Sequence, residues 1–290
     1  MDVFALTAEN VSAFYPLLPE DVREPNTEEG IVLLGAAAPE EDGSLRACGT
    51  AVLQMVDEDT WFVTWLLVAP EYRGQGAGTG LLALAAEIAD AMEMQLYTVF
   101  SEAPEAKQDG PLYRLFARCG FSLQPREARS YTTSVGRMGE EPFFRPQKGG
   151  AGFTTLTNTP ERLIAALNRT LAERGQLLAG PISKETALSD ISVTYTEDDR
   201  ITACAIFTPL GGGGVSLSFV YAHSSASARM PGLLRQAYQL LSRQYPAETE
   251  VVIPCVTDTS RRLVEKLLPS AAVSLVTYSA QYDRVAAENR

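Results

Sequence analysis

An arginine and four glycines fall within eight residues, Arg73-Gly74-Gln75-Gly76-Ala77-Gly78-Thr79-Gly80. Backbone without Cβ atoms can press against a phosphate. A helix that starts just beyond turns its unpaired N–H groups and the positive end of its dipole toward the same point. The run therefore suits a pyrophosphate. Two elements must position it. Trp61 to Val68 is an apolar, strand-like stretch followed by a turn at Ala69 to Tyr72. Beyond the glycines, Leu81, Leu84, Ile88 and Met92 recur at steps of three and four, with Glu87, Asp90 and Glu93 on other faces, which predicts an amphipathic helix.

Spacing decides which phosphate ligand is meant. The dinucleotide pattern G-x-G-x-x-G fails, because its third position is Thr79 counted from Gly74 and Leu81 counted from Gly76. The triphosphate loop G-x-x-x-x-G-K-[ST] fails too, since no lysine occurs in the segment. What does match is R-x-x-G-x-G at Arg73, Gly76 and Gly78, preceded by V-x-P-x-Y-R-G at Val68, Pro70, Tyr72, Arg73 and Gly74. This resembles the acyl-CoA loop of the GNAT superfamily of acyl-CoA-dependent N-acetyltransferases. Leu115-Phe116-Ala117-Arg118-Cys119-Gly120-Phe121 resembles the family's second signature, a helix ending in G-F before a strand, and the likeness covers residues 3 to 138.

Composition narrows the field independently. The chain has 290 residues, room for one large domain or two ordinary ones, and its 46% hydrophobic content supports packed cores. It contains no apolar run of 18 residues to span a membrane, and Met1-Asp2-Val3 leads straight into strand-like residues, so a cytoplasmic protein is expected. Cys48, Cys119, Cys204 and Cys255 lie far apart, as buried free thiols would in a reducing compartment. His223 is the lone histidine, which excludes His-rich metal sites; no metal is expected. Net charge is −12, and all the excess lies in the first half: residues 1–148 hold 23 acidic against 11 basic side chains, whereas residues 149–290 hold 13 of each. Nucleic acid is thus an unexpected partner, and a cationic amine fits, although acidic residues also serve solubility alone.

Hydrophobic alternation and breakers lay out the chain. A strand at Asp2 to Leu6 and a short helix from Thr7 to Leu18 precede an acidic, breaker-rich loop, Pro19 to Gly30. Strands follow at Ile31 to Ala37, Leu45 to Val56 and Trp61 to Val68, then the helix, a strand at Gln95 to Phe100, a helix at Leu112 to Cys119, a strand from Phe121 and a closing strand at Ser130 to Arg137. Residues 140–152 have linker composition. The order of elements then repeats: a helix from Thr159, strands at Ser189 to Thr196, Arg200 to Thr208 and Val215 to Ala222, a helix at Met230 to Tyr245, a strand at Val251 to Val256, a helix at Thr259 to Leu268 and a strand at Ala271 to Tyr282. Setting Val220 against Val68 and Leu233 against Leu81 puts Ser225, Ala226, Ala228 and Met230 opposite Arg73, Gly74, Gly76 and Gly78, so a pyrophosphate would meet side chains there. Gly211 to Gly214 precedes a strand and offers no helix N-terminus. The expected fold is α+β: two tandem acetyltransferase-like domains, each a mixed, mostly antiparallel sheet flanked by helices. The expected division is 1–139 as catalytic domain, 140–152 as linker and 153–290 as a degenerate copy.

The resemblance implies transfer of acetyl from acetyl-CoA to a primary amine of a small molecule or peptide, within a ternary complex and without a covalent acyl-enzyme. An alkyl amine has a pKa near 10 and must lose a proton before it attacks. By the same resemblance Leu66, Leu67 and Val68 would hold the pantetheine arm and polarise the thioester. Arg73, Gly74, Gln75, Gly76, Ala77, Gly78 and Thr79 would hold the pyrophosphate. The family's usual glutamate on the central strand is here Thr64, leaving Glu28, Glu29, Asp57 to Asp59 or Glu102 as candidate bases. Its usual acid, a tyrosine, is replaced by Phe116, with Tyr113 one turn earlier as the candidate acid. Trp61, Trp65 and Phe100 either line a pocket or belong to the core. The family pairs domains as dimers, so a monomer or a homodimer is expected. The departures at Thr64 and Phe116 keep a rival reading open, a non-catalytic acyl-CoA-binding or scaffold protein.

Overall fold

In a computed structural model the described residues are 1–19, 22, 30–40, 44–106, 108–145, 152–175 and 180–283. They form two compact units. One comprises Met1–Arg126 together with the chain from Val276, the other Glu127–Leu275.

The first unit opens with β1 (Asp2–Ala5) and a 3₁₀ turn, Val11–Leu17. The expected α-helix there is only this turn, because Pro16 stands inside it and removes a donor. β2 (Ile31–Pro39), β3 (Leu45–Asp57) and β4 (Thr60–Val68) then build an antiparallel meander with β1. Helix α1 (Ala77–Ala91) follows the glycine run and buries Leu81, Leu82, Ala85, Ala86 and Ala89 on the sheet. Leu81 and Leu82, fully enclosed, stabilise this contact by about 1.5–3 kcal/mol each. The helix starts four residues earlier than its apolar spacing implies, since Gly76 at φ 95° serves as its cap and Ala77 to Gly80 are already helical. β5 (Gln95–Glu102) lies parallel to β4, and α2 (Pro111–Arg118) packs Phe116 into the same core, with proline at its first position.

The closing strand departs from expectation. β6 is one strand, Phe121–Ser134, and residues 135–140 are a short helix, α3 (Val135–Glu140), capped by the Ser134 hydroxyl, which accepts from the Arg137 N–H. From Arg129 to Ser134, β6 already belongs to the second unit and pairs antiparallel with β11 (Glu250–Cys255) there. The neighbour of β5 is instead β12 (Ala272–Tyr282), in the register Val276↔Glu102 to Gln281↔Tyr97. The strand at the end of the sequence thus completes the first unit's sheet, where Tyr278 and Ala280 are buried with Phe100, Phe116 and Phe121. The division of the folded chain therefore differs from one drawn at residue 139. Residues 146–151 of the proposed linker lie outside the described residues.

The second unit repeats the pattern. β7 (Phe153–Thr155), β8 (Val193–Glu197), β9 (Arg200–Pro209) and β10 (Val215–Ala222) run antiparallel, and β10 pairs parallel with β11. Helices α4 (Glu161–Glu173), α5 (Met230–Gln244) and α6 (Asp258–Leu267) bury Leu163, Leu167, Leu233, Leu241 and Val264, among others. No helix among the described residues is long and apolar enough to cross a membrane.

Candidate functional site

The site arises where two strands part. β4 and β5 pair only at Thr60↔Gln95, Trp61↔Leu96 and Phe62↔Tyr97, and the Thr98 hydroxyl donates to the Val63 carbonyl at 2.9 Å just beyond. The cause lies on the other edge of β4. Val52 pairs with Trp65 but Leu53 pairs with Val63, so Thr64 is an extra, bulged residue that bends the strand. Leu66, Leu67 and Val68 stay paired with β3 through Ala51, Thr50 and Gly49, yet have no strand partner on the β5 side among the described residues. A cavity of about 710 Å³ opens there, walled by Leu66–Val68, Tyr72, Arg73, Gly74, Gly76–Thr79 and one side of α2.

The glycines divide into two jobs. Gly74 and Gly76 have φ of 76° and 95°, in the left-handed region, and a Cβ on either would meet nothing within 4 Å among the described residues, so they shape the loop and leave its surface bare. Gly78 and Gly80 serve packing as well: a Cβ on Gly78 would lie 3.2 Å from Leu115, and one on Gly80 would lie 2.8 Å from Val3. Arg73 donates from Nε to the Val68 carbonyl at 3.1 Å, which ties the loop to the end of β4. The Gln75 amide donates to the Glu71 carbonyl at 2.8 Å and does not line the cavity. Nine of the ten residues named for the donor molecule are thus gathered around one space, and its bare loop at a helix N-terminus fits a pyrophosphate.

Two residues were missed. Arg114 and Arg118, exposed and one turn apart on α2, line the same cavity and add positive charge to a unit rich in acids. Their i, i+4 spacing was visible, but which face of α2 meets the loop was not.

The candidate proton-transfer groups fare differently. Asp57, Glu58 and Asp59 form the β3–β4 turn, where the Asp59 N–H donates to the Asp57 carboxylate at 3.0 Å. This turn precedes Thr60, at the far end of a nine-residue strand from Val68. At about 3.3 Å per residue it lies roughly 25 Å from the cavity, too far for a base. Glu28 and Glu29 lie outside the described residues. Glu102 is buried, and its Oε1 accepts the N–H groups of Leu112 (2.6 Å) and Tyr113 (3.2 Å), so it caps α2 from a neighbouring strand. Its Oε2 is enclosed without a hydrogen-bond partner among the described residues. Tyr113 packs its ring edge-on against Tyr278, centroids 5.3 Å apart, and does not line the cavity, although Leu112 and Arg114 on either side do. Trp61 and Phe100 are core, Phe100 stacked on Phe116 at 4.9 Å, and Trp65 donates from its indole to the Leu17 carbonyl at 2.9 Å. His223 caps a 3₁₀ turn, Ser224–Arg229, with Nδ1 2.8 Å from the Ser225 hydroxyl.

A model of the acetyltransferase (GNAT) family matches residues 3–121. This segment is matched as an acetyltransferase (GNAT) domain. A search of curated proteins finds no match. Among solved structures, a tandem GNAT protein from the clavulanic acid biosynthesis pathway, in a form without AcCoA, aligns with a TM-score of 0.63 at 15% identity, over 97% of this chain and 98% of that one. A GCN5-related N-acetyltransferase from Sphaerobacter thermophilus aligns at 0.51 and 16%, over 97% and 95%. One from Anabaena variabilis aligns at 0.52 and 15%, over 98% and 73%. At such identities these likenesses show the fold, and the GNAT fold extends beyond the matched segment into a two-domain architecture.

Proposed function

We propose that the first unit is an N-acetyltransferase that moves an acetyl group from acetyl-CoA to a primary amine of a small, cationic molecule or a peptide, and that the second unit is a copy without a donor site. The observation that carries this reading is the parting of β4 from β5 beside the bare loop at Gly74 and Gly76, one cavity with an unpaired strand edge at one end and a helix N-terminus at the other. In this reading the α1 N-terminus and Arg73 hold the pyrophosphate, with Gln75 supporting the loop through Glu71 and the Arg114–Arg118 pair adding charge at the rim. The main chain of Leu66–Val68 orients the pantetheine arm, and an N–H of this edge is aimed at the thioester oxygen. The amine attacks that carbonyl directly and loses its proton to solvent or to a base. Tyr113 remains the candidate acid for the departing thiolate only if its hydroxyl turns toward the cavity.

The second reading, an acyl-CoA binder without turnover, is favoured by Thr64 being the bulged residue and by Tyr113 facing Tyr278. Turnover separates the two. Wild-type protein incubated with acetyl-CoA and a panel of polyamines, aminoglycoside-like amines and peptides should release free thiol. Tight binding of acetyl-CoA with no thiol released from any acceptor leaves the binder. Arg73→Glu should weaken acetyl-CoA binding about 10–100-fold, the loss of one charge-assisted contact. Unchanged affinity in calorimetry would show that the donor binds elsewhere.

A further inference from the structure

The second unit contains a cavity of about 580 Å³ that the acetyl-transfer reading leaves unused. It lies at the place that corresponds to the parting of strands in the first unit. β10 and β11 pair only at Val215↔Val251 and Ser216↔Val252, and a register shift between Leu217 and Phe219 bulges β10 as Thr64 bulges β4. The space is then lined mainly by β10, β11, α5 and α6, with Met138, Phe144, Gly175 and Phe207 completing the wall among the described residues.

The two units fill the corresponding space differently. Buried positions alternate along β5 as Leu96, Thr98 and Phe100, and along β11 as Val251, Ile253 and Cys255. Cys255 therefore holds the place of Phe100. The buried residue of α2 is Phe116, stacked on Phe100, whereas that of α6 is Val264. Two rings are replaced by a thiol and an isopropyl group, and the volume they would have taken is open.

Its walls say what it can hold. Among the described residues that line it none is Asp, Glu, Lys or Arg, and none belongs to the Ser224–Arg229 turn that stands where the glycine loop would be. A carboxylate or phosphate buried there would have no countercharge. Thr257 and Ser260 spend their hydroxyls on each other's main chain in the cap of α6. Burial pushes the Cys255 thiol up to about 11, so it too is uncharged at neutral pH. The Ser218 hydroxyl donates to the Ile206 carbonyl at 3.2 Å, so the side-chain polar groups left for a guest are the hydroxyls of Tyr221 and Tyr238. We propose that the second unit is a binding site for a neutral small molecule with an aliphatic chain and at most one hydroxyl-sized polar tip. It is a separate site from the charged, phosphate-gripping cavity of the first unit, and a volume of this size is in the range that encloses a small organic ligand.

The test uses the full-length protein, Nile red as a reporter and decanol and decanoate as competitors. Decanol should displace the dye at least about tenfold more effectively than decanoate, because only the latter carries a charge into an uncharged cavity. Cys255→Phe, which restores the ring found in the first unit, should weaken dye and decanol binding about tenfold or more while the protein keeps its Tm or gains in it. Leu217→Phe, on β10, should do the same and decides the matter if Cys255→Phe does not fold. Arg73→Glu should leave the dye bound. The proposal is overturned if the wild type binds neither dye nor decanol, if decanoate competes as well as decanol, if both folded filling variants bind as the wild type does, or if Arg73→Glu abolishes binding.

Discussion

Gly110→Ala is the sharpest single perturbation the first unit offers. Gly110 has ordinary backbone angles, φ −62° and ψ 153°, so alanine meets no backbone penalty there. A Cβ would nevertheless collide with the Glu102 carboxylate, with Oε2 first and the carboxyl carbon next. The carboxylate must move, and it cannot move freely, because Oε1 holds the Leu112 and Tyr113 N–H groups at the first turn of α2. Losing those two charge-assisted bonds and leaving their donors part-buried costs about 2–4 kcal/mol. For a folding unit of this size that is a fall in Tm of roughly 5–15 °C. Because α2 carries Leu112, Arg114, Leu115 and Arg118 into the cavity, acetyl-CoA affinity should fall as well. The assay is a double-mutant cycle with Glu102→Ala, read by thermal unfolding and by calorimetric binding. Glu102→Ala alone should cost a similar amount, and adding Gly110→Ala to it should cost almost nothing more, since the obstructing carboxylate is gone. A Tm for Gly110→Ala within about 1 °C of wild type, or fully additive losses in the double variant, would refute the account of Glu102 as the cap of α2.

Other consequences can be checked more briefly. Arg118→Ala should weaken acetyl-CoA binding by a few-fold to about tenfold and make the remaining affinity less sensitive to salt, seen by titration at low and high ionic strength. A fragment of residues 1–149 lacks β12, so β5 loses its antiparallel partner and Phe100 loses Tyr278; it should aggregate or lack a cooperative melt, whereas appending residues 272–283 should restore one, and a stable, active fragment would contradict the pairing. Tyr131 donates to Glu265 at 2.7 Å, and burial foremost, with that hydrogen bond next, raises its hydroxyl from 10 to about 12. The folded chain then keeps a proton the unfolded chain gives up, so this stabilisation is complete below pH 10 and is lost as pH climbs toward 12; Tyr131→Phe should remove that part of the Tm profile.

Much of the wall of the first unit's cavity was legible because its residues lie close together in the sequence. Val68 to Gly80 carry the strand end, the turn, the bare loop and the helix start without interruption, so one reading of spacing locates them all. What the spacing did not reveal was the division of labour among the glycines. Gly74 and Gly76 look no different in sequence from Gly78 and Gly80, yet the first two face open space and the others face Leu115 and Val3, which come from elsewhere in the chain.

Long-range pairing was the part that periodicity could not reach. Alternation marked residues 130–137 and 271–282 as strands, and it is satisfied equally well in either unit, because the pattern records which side faces a core and not which core. The exchange that follows places Tyr278 on Tyr113 and Phe100, and so bears on the candidate acid itself. A tyrosine one turn from the family's usual position was a fair substitute on helical geometry alone, but the ring meets a partner that arrives near the end of the chain. Glu102 follows the same logic: its position at the end of β5 fitted a base, and its bonds to α2, formed only once strand and helix are brought together, give it a structural task instead. Groups whose roles depend on neighbours distant in sequence are the ones that a motif cannot assign.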